Sequence, residues 1–138
     1  MVKAYIDTDV ILDLLQKRER FFDDAARIFV LLENGKARGY VSPLIFANLY
    51  YLLRKERGAK PALDALLRLK MLLRVLTIGD KAVQLALSSA FRDFEDALQY
   101  YAAVEHGLDC LITRNKKDYR GEDIPVYLPG EFLELIEQ

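Results

Sequence analysis

Cysteine and histidine are almost absent from this chain of 138 residues, with Cys110 and His106 the single example of each. A lone cysteine excludes an internal disulfide, and a Cys/His zinc site would lack ligands, so any metal here must be held by oxygen. Long apolar runs are missing too. Stretches such as Val30-Leu31-Leu32 and Met71-Leu72-Leu73 fall far short of the ~20 residues a membrane span requires. The N-terminus carries no basic region followed by an apolar stretch and a cleavage site, so a cytoplasmic protein with no membrane partner is expected. Charge of one sign is not in excess: the formal net charge is −1, which argues against coating nucleic acid through overall electrostatics while leaving room for a local basic rim.

What is present is the composition of a compact soluble protein, 52% hydrophobic with 30% charged residues interspersed, and the length suits one domain spanning residues 1–138. Val2 to Ile6 reads as a buried strand broken by Asp7-Thr8-Asp9. Val10, Ile11, Leu14 and Leu15 make the stripe of a first helix, and a second runs from about Phe22 to the stop at Asn34-Gly35. Gly39-Tyr40-Val41 is a second strand. Ser42-Pro43 caps and opens a third helix, Gly58 ends it, and Pro61 opens another through Leu63, Leu66 and Leu67. Val75 to Ile78 is expected as the third strand, with a helix after Gly79-Asp80 whose apolar side holds Val83, Leu85, Ala86 and Leu87. A helix from Asp93 to about His106, strands at Cys110 to Thr113 and Ile124 to Tyr127, and a helix from Pro129 to Gln138 complete the chain. Strands separated by helices predict an α/β fold with a parallel sheet of four or five strands and helices on both faces, and in such sheets ligands bind beyond the carboxyl ends of the strands.

Two strands end in polar clusters that should project from that edge: Asp7-Thr8-Asp9, and Thr113-Arg114-Asn115 with Asp118 just after. Each acidic residue has a plainer reading. Asp after a strand is a common helix cap, and the acidic run Asp93-Phe94-Glu95-Asp96 would favour a helix N-terminus through the dipole alone. Against that, Asp93 and Asp96 share a helical face, and Ala97 and Tyr100 beside them place Asp96 at the edge of the core, where a carboxylate needs a partner. Asn48 puts an amide inside the apolar stripe of the third helix, as a satisfied core residue or as one turned toward a site. Converging carboxylates raise one another's pKa unless a divalent cation restores the ionised state, and Mg2+ or Mn2+ suits oxygen ligands. Arg114, Lys116 and Lys117 could hold flanking phosphates, or form a solvated charge run. His106, just before Gly107, is expected to interact with the terminal carbonyls of its helix, and Cys110 to be a small core residue.

These strings resemble the PIN domain family. Ile6 to Leu15 is similar to its opening strand and turn, and Asp93 to Leu98 together with Ile112 to Tyr119 to its later acidic blocks, in order along essentially the whole chain. The resemblance implies a three-layer α/β/α fold and Mg2+- or Mn2+-dependent endoribonuclease activity. It commonly implies a VapC-like toxin, often dimeric, with an antitoxin partner. Asp7 matches the first metal-binding Asp and Asp96 the Asp of the central helix. Asn115 falls where many members have a further acidic residue, with Asp118 close by as a substitute, and Thr113 matches the hydroxyl of that motif. Asn48 falls where the family usually has Glu, so metal affinity should drop unless Asp93 or Glu95 compensates. Ala47-Asn48-Leu49-Tyr50-Tyr51 nonetheless resembles a subgroup in which Asn is usual.

The first reading is therefore a metal-dependent ribonuclease acting on an RNA substrate, with Asp7, Asp96, Asp118 and Asp93 as metal residues. A second is a non-catalytic PIN-like module that binds RNA or a protein, motivated by Asn48 and Asn115. A third, a phosphatase of the haloacid dehalogenase type using Asp7 and Asp9, lacks the later lysine and paired-Asp block it would need. The apolar helices at Leu44 to Leu53 and Leu63 to Leu73 offer surface for an antitoxin helix or for a homodimer.

Overall fold

Strand β1 (Val2–Ile6) buries Ala4, Tyr5 and Ile6 completely, so it belongs at the centre of a sheet, and it pairs on both sides. A computed structural model describes residues 1–137. After β1 come α1 (Thr8–Leu15), α2 (Phe22–Glu33), β2 (Ala37–Val41), α3 (Pro43–Arg57), α4 (Ala59–Leu72) and β3 (Leu73–Val75). The chain continues through α5 (Asp80–Leu87), α6 (Phe94–Glu105), β4 (Cys110–Ile112), a 3-10 turn at Lys116–Asp118, β5 (Val126–Tyr127) and α7 (Pro129–Glu137). The strand order is β3-β2-β1-β4-β5, and every neighbouring pair is parallel. The fold is the expected three-layer α/β/α arrangement, with α3 packed on α4, α5 on α6, and α2 against both α1 and α7.

Local chemistry accounts for most boundaries. Asp7 and Asp93 hold extended backbone before α1 and α6, and each side chain accepts a hydrogen bond from a first-turn N–H. Pro43 occupies the first turn of α3. Gly35, at φ +69°, lets the chain leave α2 in the left-handed region. Gly58, at φ +90°, ends α3 and begins α4 with no loop between them.

Four details differ from expectation. β3 lies at Leu73–Val75 rather than Val75 to Ile78: Leu76 N donates to Val41 O at 2.7 Å, after which Pro43 turns the neighbouring strand into α3 and leaves Thr77 and Ile78 nothing to pair with. α4 begins at Ala59, so Pro61 sits within its first turn, where no N–H is needed. On α5 the buried residues are Ala82 and Ala86, while Val83, Leu85 and Leu87 face outward. His106 ends α6, but its ring nitrogen lies 2.9 Å from Thr77 O rather than on a carbonyl of its own helix. The C-terminal helix runs to Glu137, and Gln138 lies outside the described residues.

The loop before β5 rests on one aromatic ring. Tyr100, fully buried on α6, accepts from Asp123 N at 2.7 Å and Ile124 N at 3.0 Å, and its ring lies beneath Gly121. A Cβ at Gly121 would stand 2.1 Å from Tyr100 Cε2, and a fully buried ring has little room to retreat. Gly121→Ala is expected to lower the unfolding free energy by ~1–3 kcal/mol, read from the urea midpoint. An unchanged midpoint would mean that the loop yields without cost.

Candidate active site

The sheet grows outward from β1 in both directions, which puts its switch point between β1 and β4. Asp7 leaves β1 there and Thr113 leaves β4, and Asp7 N donates to Ile112 O at 3.0 Å. The Asp7 carboxylate is buried and takes three donors from separate parts of the chain. Oδ1 accepts from Thr8 N at 2.7 Å, and Oδ2 from Tyr119 OH at 2.8 Å and Thr113 Oγ1 at 2.9 Å. Tyr119 OH also lies 3.4 Å from Asp96 Oδ1, so one hydroxyl sits between the carboxylates of β1 and α6.

These side chains open on a cavity of about 380 Å³. From the β1–α1 corner it is lined by Asp7, Thr8 and Asp9, and from α3 by Asn48. Asp93, Glu95, Asp96 and Gln99 line it from α6, and Asn115 and Asp118 from the turn after β4. Asn48 Nδ2 donates to Glu95 Oε1. Asp9 Oδ2 accepts from Asn115 Nδ2 at 3.0 Å and from Arg114 N at 3.2 Å. Thus Asp7, Asp96, Asp118, Asp93, Asn48 and Asn115 face one space, with the Thr113 hydroxyl buried behind Asp7.

The charge in this space is one-sided: six carboxylates line it, and among the described residues no lysine or arginine does. Burial pushes the Asp7 carboxyl above the usual range, and the Glu95 charge adds to that against the hydrogen bonds from Tyr119, Thr113 and Thr8. Asp9 is pushed up to about 7, by burial first and then by the Asp7 charge. Asp96 is likewise pushed up to about 7 by burial, followed by the charges of Asp7, Asp93 and Asp118. As the side chains stand, no three carboxylate, histidine or cysteine groups among the described residues form a ready-made metal cage.

Two of the three nearby cations are engaged elsewhere. Arg114 Nε and one terminal nitrogen donate to the buried Asp13 carboxylate at 2.6 and 3.2 Å, and its guanidinium lies 3.9 Å from the centre of the Phe21 ring. Lys116 Nζ is 3.0 Å from Glu131. Lys117 is exposed and, among the described residues, makes no ion pair.

Residues 3–117 match the sequence pattern of the PIN domain. The chain belongs to the PIN domain family. It is 28% identical over 137 residues to Ribonuclease VapC1 of Aquifex aeolicus (strain VF5), an alignment covering 96% of this chain and 94% of that one. Its fold is similar to that of DNA-bound VapBC from Salmonella typhimurium, with a TM-score of 0.72 at 17% identity over 94% of this chain and 99% of the other. A toxin-antitoxin complex from Klebsiella pneumoniae gives 0.68 at 23% identity, covering 91% and 97%.

Three residues of this PIN domain received no role from sequence reasoning. Tyr119 sits in a charged string that draws attention to its neighbours, and nothing in that string marks its hydroxyl as the bridge between Asp7 and Asp96. Gln99 and Asp13 had a signal: each is a polar residue inside an apolar helical stripe, the same anomaly that singles out Asn48. Gln99 is only 2% exposed and, among the described residues, its Oε1 has no hydrogen-bond partner.

The raised carboxyls carry a testable sign. A group whose folded pKa exceeds its unfolded value contributes stability below the unfolded value, near 3.8, and loses it as pH rises through the folded value, here about 7 for Asp9 and Asp96. The metal-free PIN domain should therefore lose stability between pH ~5 and pH ~8, and Asp96→Asn, which mimics the protonated form, should lose less. Urea midpoints of both proteins across that range check this, and parallel pH curves would refute it.

Proposed function

We propose that this protein is a divalent-cation-dependent endoribonuclease hydrolysing phosphodiester bonds of RNA, and that it serves as the toxin of a toxin-antitoxin pair. The observation that carries this reading is the meeting of buried Asp7 and half-buried Asp96 across Tyr119, in a cavity lined by six carboxylates and, among the described residues, no basic side chain. Anions gathered this way, with two of them pushed up to about 7, call for a compensating positive charge. The donor set fits a hard ion: every ligand candidate is oxygen, as Mg2+ or Mn2+ prefers, and an ion that keeps several waters does not require a preassembled cage. Asp7, Asp96 and Asp118 would hold it directly or through water, with Asp93 beside them. Once bound, the cation would supply positive charge to the phosphate oxygens and acidify an attacking water.

The chain's own contribution is placement. Thr113 and Tyr119 fix the Asp7 carboxylate from behind, leaving it no freedom to rotate away from the cavity. Asn48 and Asn115 present amides beside Glu95 and Asp9 and orient those groups. Lys117, exposed beside the cavity's Asp118, suits a flanking phosphate better than Arg114 or Lys116, whose charges are already paired.

The relatives that are toxin-antitoxin complexes support an antitoxin partner, as does an apolar groove on α3 and α4 formed by Phe46, Leu63, Leu66 and Leu67. A homodimer is supported by Leu87 and Phe94, which stand exposed near the junction of α5 and α6. Placement in the cytoplasm accords with the finding that, among the described residues, no helix is long and apolar enough to cross a membrane.

Asp7→Asn and Asp96→Asn are each expected to cut hydrolysis of a structured RNA in Mg2+ or Mn2+ by on the order of 100-fold or more while leaving the circular dichroism spectrum native. Undiminished cleavage by both folded variants would remove the ribonuclease reading.

A further inference from the structure

The α3 wall of the cavity contributes one side chain, the neutral amide of Asn48. That amide does not stand alone: its Nδ2 donates to Oε1 of Glu95, which reaches the cavity from the first turn of α6 and is half-buried. One turn further along the same helix, four residues on, is Gln99. Its carboxamide lines the same cavity, is 2% exposed, and leaves Oε1 without a partner. An orphaned buried acceptor is costly, and among the described residues this one belongs to an amide at the wall of the cavity. The Glu95 face of α6 therefore looks into space built to receive a ligand, and its charge is directed there by a bond from α3.

We propose that Glu95 supplies the anionic oxygen for a divalent cation on the α3 side of the site, and that Asn48 acts as a positioning residue by holding that carboxylate toward the cavity. This rests on the metal-dependent reading above. One carboxylate oxygen is occupied by the Asn48 amide, and the other is left for the ion or for one of its waters. The pair divides between two helices what a single acidic side chain on α3 would do alone. It requires the negative charge to sit on either partner of the hydrogen bond, but not on neither.

That requirement sets the test. Glu95→Gln removes the charge with little change of shape. Asn48→Asp combined with Glu95→Gln exchanges acceptor and donor across the same hydrogen bond and returns the charge to α3. Full-length protein is titrated with Mn2+ alone by calorimetry, with the rise in melting temperature on adding Mn2+ as a second readout. Glu95→Gln is expected to weaken Mn2+ binding by roughly 10-fold or more, and the double variant to recover most of that loss. Without metal, Glu95→Gln should melt no lower than the wild type, since it relieves repulsion with Asp7, whereas a purely structural hydrogen bond would leave it lower. Wild-type affinity in Glu95→Gln, or a double variant as weak as the single one, would overturn the assignment while leaving the metal site standing. Wild-type protein that takes up no Mn2+ would overturn the metal reading and this one with it.

Discussion

A carboxylate withdrawn from water at the junction of β1 and β4 is the constraint from which the rest of this molecule follows. Asp7 is 8% exposed, and a buried anion is tolerated only with donors in place. Its donors come from the start of α1 and, more than a hundred residues further along the chain, from the end of β4 and the segment after the 3-10 turn. Only a sheet in which the first strand lies beside the fourth brings them together. Tyr119 is held in turn by an aromatic cluster, with Phe91 edge-on at 5.8 Å and Tyr100 at 6.4 Å between ring centres. The same Tyr100 anchors the loop into β5, so the hydroxyl that reaches Asp7 belongs to the rigid body of the domain.

The second organising principle is the separation of charge. Basic residues lie close to the acidic cavity along the chain, yet the fold ties them down outside it: Arg114 to Asp13 and Phe21, and Lys116 to Glu131. Had Arg114 turned inward, it would have offset one of the six carboxylates that line the cavity. Asp13 is thus a counter-anion whose effect is to keep the cavity negative, and it also fixes the strand end that carries Thr113.

Much of this was legible in the sequence. The alternation of strands and helices, the caps at Asp7 and Asp93 and the glycine stops depend on local chemistry, and local chemistry is written in short strings. The convergence of Asp7, Asp96, Asp118, Asp93 and Asn115 on one space was legible because each follows a strand or opens a helix at the same edge of the sheet, and Asn48 stood out as an amide inside an apolar stripe. Less legible was whatever depends on a partner distant in sequence. β3 stops where its neighbour turns into a helix, so its register is decided by Pro43 rather than by its own residues. The pairing of Arg114 with Asp13 hides behind an exposed-looking basic string. The role of Tyr119 depends on where its ring packs, and no spacing rule reports that.

Helices α3 and α4 meet at Gly58, which ends one and begins the other, and they pack directly on each other. The apolar groove is built mainly by α4, with Phe46 contributed by α3, and Asn48 on α3 lines the acidic cavity. Phe46 and Asn48 stand two positions apart on α3 and so on nearly opposite faces of it, which leaves the width of one helix between the apolar groove and the acidic cavity.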